Sequence, residues 1–327
     1  MKICVVGAGA IGGLLAVKLA NAGEDVTVID QGPHLDAIRQ GGLKLIMADG
    51  SEHHAVLDAR GDMDGVGEQD LVILAVKAQV LPAVAPGVRG MLGSETMVVP
   101  VQNGLPWWYF EKHGGPFAGH RLQSLDPDGV LADNIPVDNI VGTVTFPAGE
   151  IAAPGVVRHT EGNRFPIGEL DGSRTERAQQ LVDMLTRAGF KSFVIEDIRA
   201  EMWLKLWGNL SFNPISALTR ATLVDICQYP LTRQLARTLM EEAQQVAGKL
   251  GITFRVGIER RIAGAERVGA HKTSMLQDVE AGRSLEIDAI IGVVSELGRL
   301  VGVPTPSVDA IQALVALLDK GVREGTV

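Results

Sequence analysis

Residues 3–12 set what the first half of this chain can become. Ile3 to Val6 is an apolar run that predicts a buried strand, and Gly7, Gly9 and Gly12 follow at once in G-x-G-x-x-G spacing. A helical pattern continues through Leu14, Leu15, Val17, Lys18 and Leu19, and a second apolar run ends at Asp30, 18 residues after Gly12. A strand, a glycine turn, a helix and a second strand with a terminal acid form the unit that cradles a dinucleotide. The first glycine makes the tight turn, the second lets backbone approach a pyrophosphate, and the third lets the helix pack close. The helix N-terminus then faces the phosphates with its positive end. A lone glycine pattern says little; the strand, helix and acid in their expected places make it specific. The predicted cofactor loop is Gly7, Ala8, Gly9, Ala10, Ile11 and Gly12, with Asp30 and Gln31 at the ribose end. Lys2, the apolar stretch and Ala20-Asn21-Ala22 also mimic a secretory leader, but a leader needs neither placed glycines nor a strand ending in an acid.

Strands and helices keep alternating after Asp30, which predicts an α/β fold with a parallel, doubly wound sheet. A short helix is expected near His34 to Gln40, and strands at Leu43 to Met47 and Ala55 to Ala59. Asp70 to Lys77 reads as a buried strand ending in a lysine, Val80 to Met91 as a partial helix, and Thr96 to Val101 as a strand leading into Gln102-Asn103-Gly104. Ligands bind at the carboxyl edge of such sheets, so Lys77 and Asn103 are candidates beside the glycine loop. Residues 105–140 are irregular and carry Trp107-Trp108-Tyr109-Phe110. That cluster is either a hydrophobic clasp under a long loop or a wall of the substrate pocket. Strands at Ile140 to Phe146, Gly155 to His159, Arg164 to Gly168 and Lys191 to Ile195, with a helix at Thr175 to Ala188, complete this half. From about residue 196 helical periodicity dominates, at Ile198–Leu210, Leu231–Leu250, Glu259–Val268, Ile287–Val301 and Ser307–Lys320. The expected division is a Rossmann-type dinucleotide-binding domain at 1–196 and an all-helical substrate and catalytic domain at 197–327.

A chain of 327 residues with 46% apolar content can build two cores. Its net charge of −9 and lack of a Lys/Arg block argue against a nucleic-acid partner, so an anion site must be local. No run of ~18 apolar residues predicts a membrane span. Two isolated cysteines, Cys4 and Cys227, offer no metal spacing and suit a reducing cytoplasm.

The helical half holds a second signal. Glu201, Lys205, Asn209 and Asn213 recur every four residues and form one slowly drifting polar stripe on a helix. A solvated stripe with a Glu201–Lys205 pair is one reading. Two asparagines flanked by Trp203 and Trp207 suit a substrate cleft better, because buried polar groups need partners. Pro214 is expected to pull Asn213 out of helical geometry. A third cluster joins Ser274 and Asp278, which can share a helix face, with Glu286, expected to open the next helix.

Taken together, these pieces resemble the ketopantoate reductases (2-dehydropantoate 2-reductases). The matching stretches are Lys2–Gly12, Ala75-Val76-Lys77, Gln102-Asn103-Gly104, E-x-W-x-K-L-x-x-N-x-x-x-N-P at Glu201–Pro214, S-M-L-Q-D at Ser274–Asp278 and E-I-D at Glu286–Asp288. They run in order across nearly the whole chain. The resemblance implies NAD(P)H-dependent reduction of a small 2-keto acid to a 2-hydroxy acid, with 2-dehydropantoate first among substrates. It implies Lys205 as proton donor and Glu286 as the acid that orients it and contacts the cofactor side. It further implies Asn103, Asn209, Asn213, Ser274 and Asp278 around the substrate, Ser274 at its carboxylate, and Lys77 and Asn103 between cofactor and substrate. A homodimer is one assembly open to such a chain.

The chain departs from the family habit in two places. The family places a base after the second strand to hold the NADPH 2′-phosphate, whereas here Asp30-Gln31-Gly32 stands there and leans to NADH. Residues 105–140 are also longer than the family's usual connection. A related hydroxy-acid or opine-type dehydrogenase acting on another keto acid is therefore an alternative. A dinucleotide sensor without catalysis is a third reading, disfavoured by the retained Lys205 and Glu286.

Overall fold

The computed structural model describes residues 1–327, and the chain separates into two compact units. The first comprises Met1–Gln102, Trp107–Arg121 and Asp126–Ile198; the second comprises Asn103–Pro106, Leu122–Leu125 and Arg199–Val327.

In the first unit the order is β1 (Lys2–Val6), α1 (Ala10–Asn21), β2 (Asp25–Ile29), α2 (Gly32–Gly41), β3 (Leu43–Ile46), β4 (Glu52–Ala55), β5 (Asp58–Arg60), β6 (Leu71–Leu74), α3 (Leu81–Arg89) and β7 (Met97–Pro100). It continues through α4 (Val130–Asn134), β8 (Gly142–Thr143), β9 (Ala148–Ala153), β10 (Val156–Glu161), β11 (Arg164–Gly168), α5 (Glu176–Arg187) and β12 (Lys191–Val194). The strands β5-β2-β1-β6-β7 form a five-stranded sheet in which every pair is parallel. The order reverses beside β1, which creates the switch point where dinucleotides bind in doubly wound sheets. Ile3 to Val6 of β1 and all of β6 are apolar on both faces and buried, as expected of strands covered from both sides.

The unit holds three sheets rather than one. β4-β3-β10-β9 forms a mixed four-stranded sheet, and β12-β11-β8 a mixed three-stranded one. The expected single strand at 55–59 is split: β4 turns back on β3, while β5 joins β2 in the parallel sheet. β9 lies outside the expected strands because its face is mostly exposed and lacks apolar alternation. α1 packs against β2, β3, β9 and β10, so it is covered on nearly all sides and its residues are apolar all round.

The second unit is helical: α6 (Ile198–Thr219), α7 (Leu223–Gln228), α8 (Pro230–Lys249), α9 (Ile258–Val268), α10 (Ser274–Glu280), a π-helical turn at Asp288–Gly292, α11 (Val293–Val301) and α12 (Pro306–Glu324). α8 packs against α7, α9, α11 and α12. Its buried Glu242 accepts from the backbone N–H groups of Ser307 and Val308 at 3.0–3.1 Å and so caps α12. Contrary to expectation, Pro214 does not end α6. The helix runs through it to Thr219, so Asn213 stays helical and buried, held by packing against neighbours that outweighs the local preference. Glu286 does not open a helix either; it lies two residues ahead of the π-helical turn.

Candidate active site

The glycine loop is built as its spacing requires. Gly7 has φ +97°, and a side chain there would meet the Val76 backbone at 2.9 Å. At Gly12 a Cβ would lie 1.8 Å from the Gly7 carbonyl oxygen, so the helix can approach the turn only without one. Gly9, by contrast, has open space where a Cβ would be, and it precedes α1, whose first turn carries no acid. An anion can therefore reach the backbone at Gly9 and the N-terminus of α1, which fits a pyrophosphate.

Two interactions absent from the sequence reading fix this loop. The Asp30 carboxylate accepts from the N–H of Ala8 and of Gln31, both at 2.7 Å, so the predicted ribose acid also latches the loop. His34 is buried; its Nδ1 accepts from Gly155 N–H at 3.0 Å, which places the ring proton on Nε2, facing the Ala8 carbonyl at 3.0 Å. Arg39, the next downstream arginine, spends its Nε on the Ala59 carbonyl at 2.9 Å. Lys77 lies beyond the carboxyl end of β6, on the sheet edge that carries the glycine loop. Gln102 donates to the Leu74 and Val76 carbonyls at 2.7 and 2.8 Å and ties that edge together.

The second unit gathers the residues expected to be catalytic, Asn103, Lys205 and Glu286. Gly104 has φ +87°, and a Cβ there would sit 1.9 Å from the Ala289 carbonyl, which instead accepts from Leu105 N–H at 2.9 Å. Only glycine allows this contact, and it seats Asn103 against the π-helical turn. π-turns recur at functional sites. Asn103 then bridges two predicted residues: its Oδ1 accepts from Lys205 Nζ at 2.8 Å and its Nδ2 donates to Glu286 Oε2 at 3.2 Å. Glu286 is positioned from behind by Leu285, whose N–H donates to Asp319 at 2.8 Å. Burial lowers the Lys205 pKa to about 8, with the Glu286 charge working in the opposite direction. An ammonium of that pKa is charged at neutral pH yet poised to give up its proton.

Asn209 and Asn213 follow Lys205 along α6, and neither carboxamide has a hydrogen-bond partner in the chain. Ser274, at the start of α10, is exposed and also unpartnered, while the cap of that helix is Thr273. Asp278 is engaged by Arg283 Nε at 2.9 Å. Glu201 is buried and takes two bonds from Arg255, not a solvated place in a surface stripe. Trp203 and Trp207 are fully buried; Trp207 stacks on Phe254 at 4.1 Å and donates to the Met240 carbonyl.

The aromatic segment packs largely on itself. Trp107, Trp108, Tyr109 and Phe110 are all buried. Phe110 is ringed by Tyr109, His113, Phe117 and His120 at 4.9–5.8 Å, and its carbonyl accepts from Gly119 N–H, closing the loop on itself. The guanidinium of Arg261, on α9, lies against Gly208 of α6.

The family description "Ketopantoate reductase PanE/ApbA" matches residues 3–172, and its C-terminal counterpart matches residues 197–319. A 2-dehydropantoate 2-reductase of Mesorhizobium japonicum is 51% identical over 319 residues, covering 97% of this chain and 98% of the relative. A Ralstonia solanacearum MolK2 structure placed among the ketopantoate reductases superposes with a TM-score of 0.93 at 40% identity, covering 98% of each chain. A D-mandelate dehydrogenase solved with NADH and anilino(oxo)acetate shares the fold, with a TM-score of 0.84 at 24% identity over 98% of this chain and 99% of that one.

Proposed function

The chain belongs to the ketopantoate reductase family, and we propose that it reduces 2-dehydropantoate to pantoate with a reduced nicotinamide dinucleotide. The observation that carries this reading is the Lys205–Asn103–Glu286 chain of hydrogen bonds that starts from the lysine of the motif-bearing α6.

Residues 1–196 hold the dinucleotide, through Gly7, Ala8, Gly9, Ala10, Ile11, Gly12, Asp30, Gln31 and Lys77, and residues 197–327 hold substrate and catalytic groups. When bound, the reduced nicotinamide supplies a hydride to the substrate's carbonyl carbon. Lys205 donates a proton to the carbonyl oxygen as negative charge develops there, and its ammonium stabilises that charge before transfer. Asn103 holds the ammonium in line, and Glu286 holds Asn103. The carboxamides of Asn209 and Asn213 and the hydroxyl of Ser274 are unspent inside the protein, so they remain available to substrate oxygens. Asp278, tied to Arg283, serves by shaping the turn that leads to Glu286.

Asp30 favours NADH, since it accepts hydrogen bonds from ribose hydroxyls and repels a 2′-phosphate. The two cysteines are free and buried, which suits a cytoplasmic protein. A homodimer is the assembly to test by sedimentation.

The deciding experiment is turnover of 2-dehydropantoate beside a panel of 2-keto acids, each with NADH and with NADPH. The reading expects 2-dehydropantoate to give the highest kcat/KM. A different keto acid ahead by tenfold or more would move the chain to another hydroxy-acid dehydrogenase activity. No turnover with any of them would leave a dinucleotide-binding protein without this chemistry.

A further inference from the structure

Glu286 stands on a stretch of chain that no helix or strand holds. Residues 283–287 carry no regular secondary structure, and the π-helical turn begins at Asp288. A carboxylate on such a stretch keeps its place through tertiary anchors. α12 supplies one. Asp319, 34 residues beyond Leu285 and buried, accepts from the Leu285 N–H at 2.8 Å through Oδ1. Its Oδ2 takes Arg323 Nε at 2.8 Å, one turn along the same helix. The arginine is exposed while the acid points inward. Burying a carboxylate costs free energy unless donors meet it, and here each oxygen has one.

α12 approaches the same stretch a second time. Gly292 ends the π-helical turn, and a Cβ there would lie 3.2 Å from Gln312 Nε2. Between these two points lies Ala289, whose carbonyl accepts from Leu105 N–H at 2.9 Å and so seats Asn103. α12 thus backs both ends of one hydrogen bond. Glu286 follows Leu285, which Asp319 holds; Asn103 precedes Leu105 by two residues, which the π-helical turn holds. The bond between Asn103 Nδ2 and Glu286 Oε2 is 3.2 Å long. That is already the long end of the N–H···O range, so a small retreat of Leu285 breaks it.

We propose that Asp319 is a positioning residue for proton donation: by fixing Leu285 it keeps Glu286 on Asn103, and so keeps Asn103 on Lys205. This rests on the reductase reading above. The place of the Asp319 oxygen matters here, not its charge. The charge that acts on Lys205 is that of Glu286. The charges that face Asp319 are Arg323 on its own helix and Asp288 on the π-helical turn, whose carboxyl burial raises first and Asp319 raises further.

The test compares wild type with Asp319→Asn, Asp319→Glu and Asp319→Leu, using steady-state reduction of 2-dehydropantoate. Titration of the Lys205 ammonium is followed in parallel by NMR on lysine-labelled protein, assigned against Lys205→Arg. Asp319→Leu should lower kcat by about 10- to 100-fold, the scale of a misplacement of about 1 Å, while KM moves less than about threefold. The Lys205 midpoint should fall below its value of about 8, because burial stays while the Glu286 charge draws away. Asp319→Asn keeps a carbonyl oxygen for the Leu285 N–H, so its kcat and Lys205 midpoint should match wild type. Asp319→Glu keeps the charge but sets the oxygen one methylene further out, so it should be slower than Asp319→Asn. In a Glu286→Ala background Asp319→Leu should cost no further rate, since the group it positions is gone.

An Asp319→Asn variant as slow as Asp319→Leu, or an Asp319→Glu variant as fast as wild type, would overturn the proposal; these two conservative changes decide it even if Asp319→Leu does not fold. A full further loss in the Glu286→Ala background would overturn it too. If wild type reduces 2-dehydropantoate and neither kcat nor the Lys205 midpoint responds to Asp319→Leu, the positioning role is wrong and the reductase reading stands. If wild type reduces no keto acid but the Lys205 midpoint still falls in Asp319→Leu and not in Asp319→Asn, the reductase reading fails and the positioning role stands.

Discussion

Asn103 and Lys205, 102 residues apart in sequence, meet through a 2.8 Å hydrogen bond in which the ammonium donates to the carboxamide oxygen. The other end of the same carboxamide donates to Glu286. The acid thus acts on the lysine at least partly through an amide. A carboxylate beside Lys205 raises its proton affinity, whereas burial lowers it, and burial is the larger effect.

Replacement of Lys205 by alanine removes the proton donor. The expected loss in kcat is roughly 10²–10⁴-fold, the usual range for a missing general acid. Dinucleotide affinity, measured by fluorescence titration, should stay within threefold, because the glycine loop lies in the other unit. Near-full turnover by Lys205→Ala would overturn the mechanism.

The pH profile follows from the same lysine. Its pKa of about 8 means the donor form is present at neutral pH and lost above that value. kcat/KM for keto-acid reduction should fall above about 8, and pantoate oxidation, which needs the neutral amine, should rise over the same range. The stability sign is separate. The unfolded lysine holds its proton up to 10.5 and the folded one releases it near 8, so this group makes the protein more stable as pH rises between the two. A reduction profile flat from pH 7 to 10 would place proton donation elsewhere.

Lys205, Asn103 and Glu286 should behave as one device. Residues that act as a unit give non-additive losses. The Lys205→Ala, Glu286→Ala double variant should be scarcely slower than the worse single variant, and Asn103→Ala should also be non-additive with either. Fully multiplicative rate losses would mean that three independent groups had been removed.

Cofactor choice should follow Asp30. Like charges facing each other across a few ångströms at intermediate dielectric cost on the order of a few kcal/mol, enough for an NADH preference of about tenfold to several hundredfold. Asp30→Ala with Gln31→Arg should shift the kcat/KM ratio toward NADPH. Affinity for both dinucleotides should drop at the same time, because the Ala8 and Gln31 N–H groups lose their acceptor. A wild type that prefers NADPH would defeat the charge argument and leave the family assignment untouched.

The aromatic clasp should report as stability. Trp108 is fully buried and its ring lies over Gly142, so Trp108→Ala should cost about 3–5 kcal/mol of folding stability, read from the denaturant midpoint. The ranking of 2-keto acids by kcat/KM should not change. A reordered ranking at unchanged stability would restore the pocket-wall reading.

The sequence was most readable where a local rule has few exceptions. Gly7 and Gly12 had to be glycine for the loop to close, and the motif spacing said so. The stripe from Glu201 to Asn213 was visible because a helix repeats every 3.6 residues. Its ending was misread at Pro214, where packing around a buried Asn213 overrides the preference of the residue before a proline. The partners were not readable. Nothing near residue 103 announces Glu286, because a contact between segments so distant in sequence depends on how the π-helical turn seats Gly104. Asp30 showed its charge but not its bond to Ala8, since a side chain's return to the backbone 22 residues earlier leaves no periodic trace.

The latch between Asp30 and Ala8 bears on how such enzymes drift between cofactors. A lineage that exchanges this acid for a base gains a 2′-phosphate contact and unlocks its own glycine loop in the same step. The intermediate would bind either dinucleotide less well than its parent. Switching is therefore a two-site walk: a second substitution that re-anchors the Ala8 N–H, or leans harder on the His34 bridge to Gly155, has to come first or arrive together with the exchange. In this chain the residue whose charge would select the cofactor is also the residue that ties down the glycine loop.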